Sequence, residues 1–470
     1  MNNAFQELMA LRNRPDHAAV ELTGVDPVYS TTFKVAETGA AALGAVGVAI
    51  ADIHEMKTGR RQTVGVDVRE AGAALHSFAH LQTRQPDGRW ATTGHSPAAV
   101  ANYAMIQPHA TRDDRWFLPH FGISHLRERV LGVLKCPATP EGVAAAIRQR
   151  DALELEEAVA DVNACGGMVR TREEWLAHPH GQALSIQPVI EIEKIGDSDP
   201  EPFPEGGPVL AGIRVLDLTR ILAGPVAART FAEHGADVLM VAARGAPQIK
   251  NFFIDLSHGK RSSYLDLNQS EEAGRLKELV RQADVFSQGY RPGTLAARGF
   301  GPEDLAALRP GLVYTTINCY GEHGPFSDRA GWEQTAQSVT GICHEHGAGM
   351  GLGRPALLPV NACDYITGYL GAYGMLLALA RRAREGGSYH VKVSLCQTAM
   401  MLDRQGRVDA PDADLGPSAD EISALQIQSD TSYGHLRHLR PVIRFSETTP
   451  GWSRPTPALG GDDPVWLPRG

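Results

Sequence analysis

A chain of 470 residues is too long for one compact core and predicts two or three domains. Its 43% apolar and 21% charged residues are the balance of a soluble globular protein. The net charge of −9, from 45 basic and 54 acidic side chains, argues against a general affinity for nucleic acid or for anionic membrane. Met1 to Pro15 carries scattered charge and no apolar segment, so it does not read as a secretory leader. Leu370 to Ala380 reads as the most apolar helical stretch, and it is too short and too Gly-rich to span a bilayer. Six cysteines without a C-x-x-C pair read as buried free thiols, which suits a reducing cytoplasm.

Along the chain, Ala36–Leu75 reads as a small-residue helix, a Gly turn and the alternating strand Thr63–Val68. The same order recurs at Cys363–Leu402, ending in the strand His390–Leu395. Leu43, Gly44, Ala45, Gly47, Ala51, Gly59, Val64, Val66 and Leu75 meet identical residues there without a gap, which predicts an internal duplication. Between the copies, Gly196–Gly207 (GDSDPEPFPEGG) is a Pro-, Gly- and acid-rich linker that cannot form a helix or a central strand. It separates residues 1–195 from a region whose first part, 208–345, alternates strand and helix.

The strands of that part are predicted at Ile213–Leu218, Asp237–Ala242, Ser263–Leu267, Asp284–Ser287 and Leu312–Asn318. The helices are predicted at Pro225–Glu233, Glu271–Gln282 (capped by Asn268 or Ser270) and Pro302–Ala307. This alternation predicts an α/β fold with a doubly wound, Rossmann-like parallel sheet. Residues 346–470 hold the second repeat copy, with a helix over Thr367–Ala380, and a C-terminal tail.

Few residues suggest chemistry directly. Gly347–Gly353 (GAGMGLG) imitates a dinucleotide fingerprint, but no strand precedes it, and it reads as a Gly-rich loop near a site. Cys343, His344 and His346 lie too close together for ordinary metal-ligand spacing, so no metal is expected. Asp364 stands at the start of the close-packing helix, where an acid can cap the helix and meet its dipole. The first repeat copy keeps a carboxylate there too, Glu37, which capping also explains.

Residues 208–402 resemble the class III CoA-transferases of the CaiB/BaiF type. The matching pieces are Gly212–Pro225 (GIRVLDLTRILAGP), His234–Val241, Gly259–Leu267, Ala283–Gly293 (ADVFSQGYRPG), Tyr320–Pro325 (YGEHGP), Asp364 with its helix, and Val391–Leu395. The resemblance implies that Asp364 is a nucleophile carrying CoA between acids as an aspartyl thioester, with coenzyme A or acyl-CoA as co-substrate and no permanently bound cofactor. It implies CoA contacts at Leu222, Ala223, Leu265, Asn268, Gly289, Tyr290, Arg291 and Tyr320. Two family arginines that meet the nucleotide phosphates align with Ala243 and Ala297, and Arg244 and Arg298 follow one residue later.

Residues 1–195 resemble the later part of the same family, in Thr58–Val68 and Thr171–Pro179. That implies a rearranged order with a smaller α+β domain. Members of the family form interlocked dimers, so the resemblance implies a homodimer here, whose threading the rearranged order would change. The Gly/Ala faces at Leu43–Ala51 and Leu370–Ala380 suit such an interface. Partners are then acyl-CoA and carboxylic acid molecules. Two other readings stay open. An α-methylacyl-CoA racemase would need a His where Gly331-Trp332-Glu333 stands. A non-catalytic CoA-binding paralogue would explain the displaced arginines.

Overall fold

The computed structural model describes residues 3–14, 16–94, 97–411 and 415–469. Its centre is a seven-stranded sheet. Six parallel strands run in the order Arg261–Tyr264, Asp237–Ala242, Arg214–Leu218, Val285–Gln288, Val313–Asn318 and Ser388–Ser394. Glu191–Gly196 closes the far edge antiparallel. The chain starts in the middle, at Arg214–Leu218, builds outward one way, then returns to build the other way from Val285–Gln288. At such a reversal the loops beyond the carboxyl ends diverge and leave a crevice.

The pairing register puts Val215 beside Val238 and Val285, and Leu216 beside Leu239 and Phe286. Because side chains alternate along a strand, these two rows face opposite ways. The valines share a core with the helices Ala223–Glu233 and Ala362–Glu385. The Leu216 row shares a core with Ser270–Val280 and Pro302–Leu308. Both faces are thus covered, as nearly continuous apolar strands require.

The predicted strands and helices of this region all form, with ends shifted by a few residues. Ala223–Glu233 starts two residues before Pro225, whose missing N–H falls in the first turn where no intrahelical partner exists. Ser270–Val280 is preceded by Gln269, which makes no side-chain cap, so neither Asn268 nor Ser270 caps it. The predicted helix Thr367–Ala380 is longer, spanning Ala362–Glu385. Residues 197–207 contain neither helix nor strand.

The duplication is visible in three dimensions. Val35–Thr58 and Ala362–Glu385 are each 24 residues long and begin and end at matching repeat positions. The residues before them, Lys34 (φ −79°, ψ 62°) and Asn361 (φ −82°, ψ 58°), share one conformation. Each helix ends on a glycine with positive φ, Gly59 at 70° and Gly386 at 69°. After each comes a strand paired parallel to an earlier one: Val64–Asp67 with Val20–Thr23, and Ser388–Ser394 with Val313–Asn318. Each then adds an antiparallel neighbour, Arg444–Phe445 in the first copy and Glu191–Gly196 in the second. The first copy therefore reproduces the last three strands of the large sheet.

Two further units flank this frame. The strands His109–Ala110, Trp116–Pro119 and Gly166–Met168 carry the helices Ser124–Leu134, Pro140–Ile147 and Ala152–Asp161 around Phe117, Val130, Val143 and Val159. Gln426–Thr431 and Gly434–Leu439 join Gln82–Arg84 and Trp90–Thr92 in an antiparallel sheet. Among the described residues, Val35–Thr58 is the helix long and apolar enough to cross a membrane. It exceeds the Leu370–Ala380 stretch singled out from the sequence, and it lies buried against Ala362–Glu385. All six cysteines are free thiols, and five are buried.

The small-residue faces meet neighbours inside the chain. A Cβ on Gly47 would stand 2.4 Å from Val64 Cγ1, and one on the matching Gly374 would stand 2.6 Å from Val391 Cγ1. Each helix thus lies directly on the strand that follows it, so these glycines do not supply the dimer interface expected of them. Gly374→Ala should destabilise the protein. Overpacking costs about 1–3 kcal/mol, against a helix-propensity gain of about 1 kcal/mol. Urea unfolding should show a net loss, and a variant as stable as the parent would contradict this packing.

Candidate active site

The cleft at the carboxyl ends of the parallel strands has a volume of about 320 Å³. Leu218 to Ile221 line it beyond the first strand, Gly289 to Pro292 beyond the fourth, Ile317 to Tyr320 at the end of the fifth, and Leu395 beyond the sixth. The loop Ser327–Trp332 and the start of the Ser124–Leu134 helix close it, through Ile123, His125 and Leu126. Asp364 opens onto this cleft from the first turn of its helix, with only 7% of its surface exposed.

Glu333 organises that turn. Its carboxylate accepts the backbone N–H of Asp364 at 2.5 Å and that of Cys363 at 3.1 Å. Gln337 Nε2 donates to the same carboxylate at 2.6 Å, and Gln337 Oε1 accepts the Leu358 N–H at 2.9 Å. The donors at a helix start need partners, and the preceding residue, Asn361, provides no side-chain cap. Glu333 therefore caps the helix from outside it.

Burial raises the Asp364 carboxyl well above its ordinary 3.8, and the neighbouring Glu333 charge raises it further. The backbone amide of Ala223, at the start of another helix, pulls it back down. Glu333 is raised too, first by burial, against its three donors. The result is a reactive-looking carboxyl held between two helix starts and next to a second carboxyl.

The first repeat copy is built alike and used differently. There Asp26 Oδ2 accepts the Glu37 N–H at 2.8 Å, and Glu37 Oε1 accepts the Asp26 N–H at 3.0 Å. The Glu37 carboxylate closes a reciprocal clamp, with Lys34 Nζ 3.8 Å away.

Of the residues expected to contact CoA, Ala223, Gly289, Tyr290, Arg291 and Tyr320 share the cleft with Asp364. Leu222 lies just behind, in the core. Arg244 instead rests over the Tyr264 ring at 5.3 Å and borders a separate groove with Leu265. Arg298 donates to Asn268 Oδ1 at 3.0 Å on the surface. Gly347–Gly353 departs from its expected form: its first half belongs to the Ile342–Gly349 helix, and none of it lines the cleft. His346, in the same helix, is buried against Thr31.

Sequence reasoning missed the capping role of Glu333, although its neighbour Trp332 stands where a racemase would carry its histidine base. It also missed Arg220 and the whole contribution of residues 123–163. Arg291 reaches across to Asn163, donating to Oδ1 at 2.6 Å, so the α+β unit is tied to the rim of the cleft. Only the fold brings those segments together.

Pairwise comparison finds the acetyl-coenzyme A transferase nodX of Hypoxylon pulicicidum 33% identical over 322 residues, covering 63% of this chain and 54% of that protein. The succinyl-CoA:glutarate CoA-transferase of Mus musculus is 31% identical over 254 residues, covering 51% and 53%. A CAIB/BAIF family protein from Brucella suis, solved by crystallography, is 27% identical with a TM-score of 0.38, covering 48% of this chain and 64% of its own. The chain spans about half the length of the curated relatives it matches. The model of CoA-transferase family III matches residues 18–201 and again 210–413, and the chain belongs to that family.

Proposed function

We propose that this protein transfers CoA from an acyl-CoA to a carboxylic acid through a thioester on Asp364. The observation that carries the reading is the position of Asp364. It is a buried carboxyl at the mouth of the crevice left by the sheet reversal, in a helix whose capping is done by another residue.

On this reading the Asp364 carboxylate attacks the donor thioester carbonyl. The C–S bond breaks, giving a mixed anhydride and CoA thiolate. The thiolate then attacks the aspartyl carbonyl, releases the donor acid and leaves aspartyl-CoA. The acceptor carboxylate attacks that thioester, and the thiolate returns to the new acyl carbonyl, which regenerates Asp364. The Ala223 amide, already directed at Asp364, is placed to stabilise negative charge on the aspartyl oxygen. The sheet is read as a Rossmann-like frame, with CoA entering past Gly289 to Arg291 and the acyl group lying under Ile123 and Leu126. The working unit is read as a homodimer.

Asp364→Asn keeps the shape and removes the nucleophile. It should lower transfer about a thousandfold or more while CoA binding, followed by calorimetry, persists. Transfer near the parent rate would refute the assignment. In the same assay, release of α-tritium from a chiral 2-methylacyl-CoA would mark the racemase alternative.

The raised carboxyl also sets a pH dependence. The ionised form attacks, so rate should fall as pH drops through a value above the ordinary carboxylate range. Glu333→Gln removes the neighbouring negative charge and should move this acid limb to lower pH. A limb that stays in place or rises would mean that the charge of Glu333 does not act on Asp364.

A further inference from the structure

Three arginines line the cleft, and they differ in what neutralises them. Arg329 is 2.7 Å from the Glu157 carboxylate and 3.9 Å from that of Glu156. Arg291 is held by Asn163. Arg220 makes no ion pair among the described residues. Its guanidinium donates to the Pro247 carbonyl, and its Nε is buried without a hydrogen-bond partner. The next residue, Ile221, has φ +76°, a left-handed conformation that a β-branched side chain resists. Such strain persists only where the surroundings enforce it, and it clusters at ligand sites. Arg220 is half-buried, and a partly desolvated cation without a counter-charge carries a cost that an anionic ligand would reduce.

The location narrows the anion. In CoA the whole pantetheine arm separates the sulfur from the first phosphate. Arg220 lines the same cavity of about 320 Å³ as Asp364, on the loop after the first strand, whereas CoA is read as entering past Gly289 to Arg291. This sets Arg220 apart from the CoA entry and toward the acyl group. We propose that Arg220 binds a second carboxylate, carried by the acyl group or the acceptor at the end remote from the reacting carbon. The preferred substrates are then dicarboxylic acids and their CoA half-thioesters. This rests on the transferase reading above.

The test uses the full chain and matched substrates: succinyl-CoA against butyryl-CoA as donors, glutarate against pentanoate as acceptors. A charge-assisted hydrogen bond corresponds to about tenfold or more in affinity. Arg220→Gln should therefore lose about tenfold more in kcat/KM with the dicarboxylic member of each pair than with its monocarboxylic partner. Arg220→Lys should recover part of that difference, and the Kd for free CoA should stay put. Equal losses for both members, with weaker CoA binding, would assign Arg220 to the diphosphate and overturn the proposal. Unchanged selectivity would overturn it as well. If the parent protein transfers no acyl group at all, the transferase reading fails separately. Calorimetry of succinyl-CoA and butyryl-CoA then decides for Arg220: the parent should prefer succinyl-CoA and Arg220→Gln should not, and equal affinities in the parent would overturn it.

Discussion

Glu333 takes the first backbone donors of the Ala362–Glu385 helix, and this leaves Asp364 without capping work. A hydrogen bond to a charged group contributes about 1.5–3 kcal/mol, enough to fix the first turn of a helix in place. The same carboxylate, by its charge, helps push the Asp364 carboxyl upward. One residue thus positions the candidate nucleophile and adds to the effect of burial on its ionisation. In the first repeat copy the clamp is Asp26, and Glu37 returns the bond to it, so that carboxylate is spent on structure. In two copies of one local architecture, Glu37 is locked in a reciprocal clamp with Asp26, whereas Asp364 faces the cleft with the Ala223 amide directed at it.

Behind the site, a buried polar network joins the two halves of the chain. Ser77, just after the first repeat copy, lies 2.9 Å from the Tyr365 hydroxyl, next in sequence to Asp364. It also donates to Asp255 at 2.5 Å, and Asp255 accepts from Arg229 at 3.2 Å. Arg229 belongs to the helix whose first amide faces Asp364. With both repeat helices lying on their own strands, these buried contacts hold the first turn of the Asp364 helix from within the core. A charged network of this kind is weak evidence for stability, and breaking one partner is costly.

Much of this was legible in the sequence. The parallel strands of the large sheet were readable as short runs between helix starts, because burial on both faces leaves no polar alternation to confuse them. The charged edge strand Glu191–Gly196 was not, and its Gly196 reads as linker. The duplication was readable from nine identities, since glycines such as Gly47 and Gly374 are fixed by close approach to a strand. What was not readable depended on distance in the chain. Nothing near Glu333 reveals that it caps a helix starting some thirty residues later. Nothing in Ser124–Leu134 reveals that it roofs a cleft built from residues 218–395. The GAGMGLG segment misled because its composition outweighed its context: its first glycines, Gly347 and Gly349, continue a helix, and only Gly351 and Gly353 lie in a loop.

The central proposal is that Asp364 carries CoA as an aspartyl thioester during transfer. Incubation with a donor acyl-CoA followed by hydroxylamine converts an aspartyl thioester into a hydroxamate, which peptide mass spectrometry can locate. The account predicts that label on the peptide carrying Asp364. A label on Glu37, or on neither residue while transfer proceeds, would contradict it.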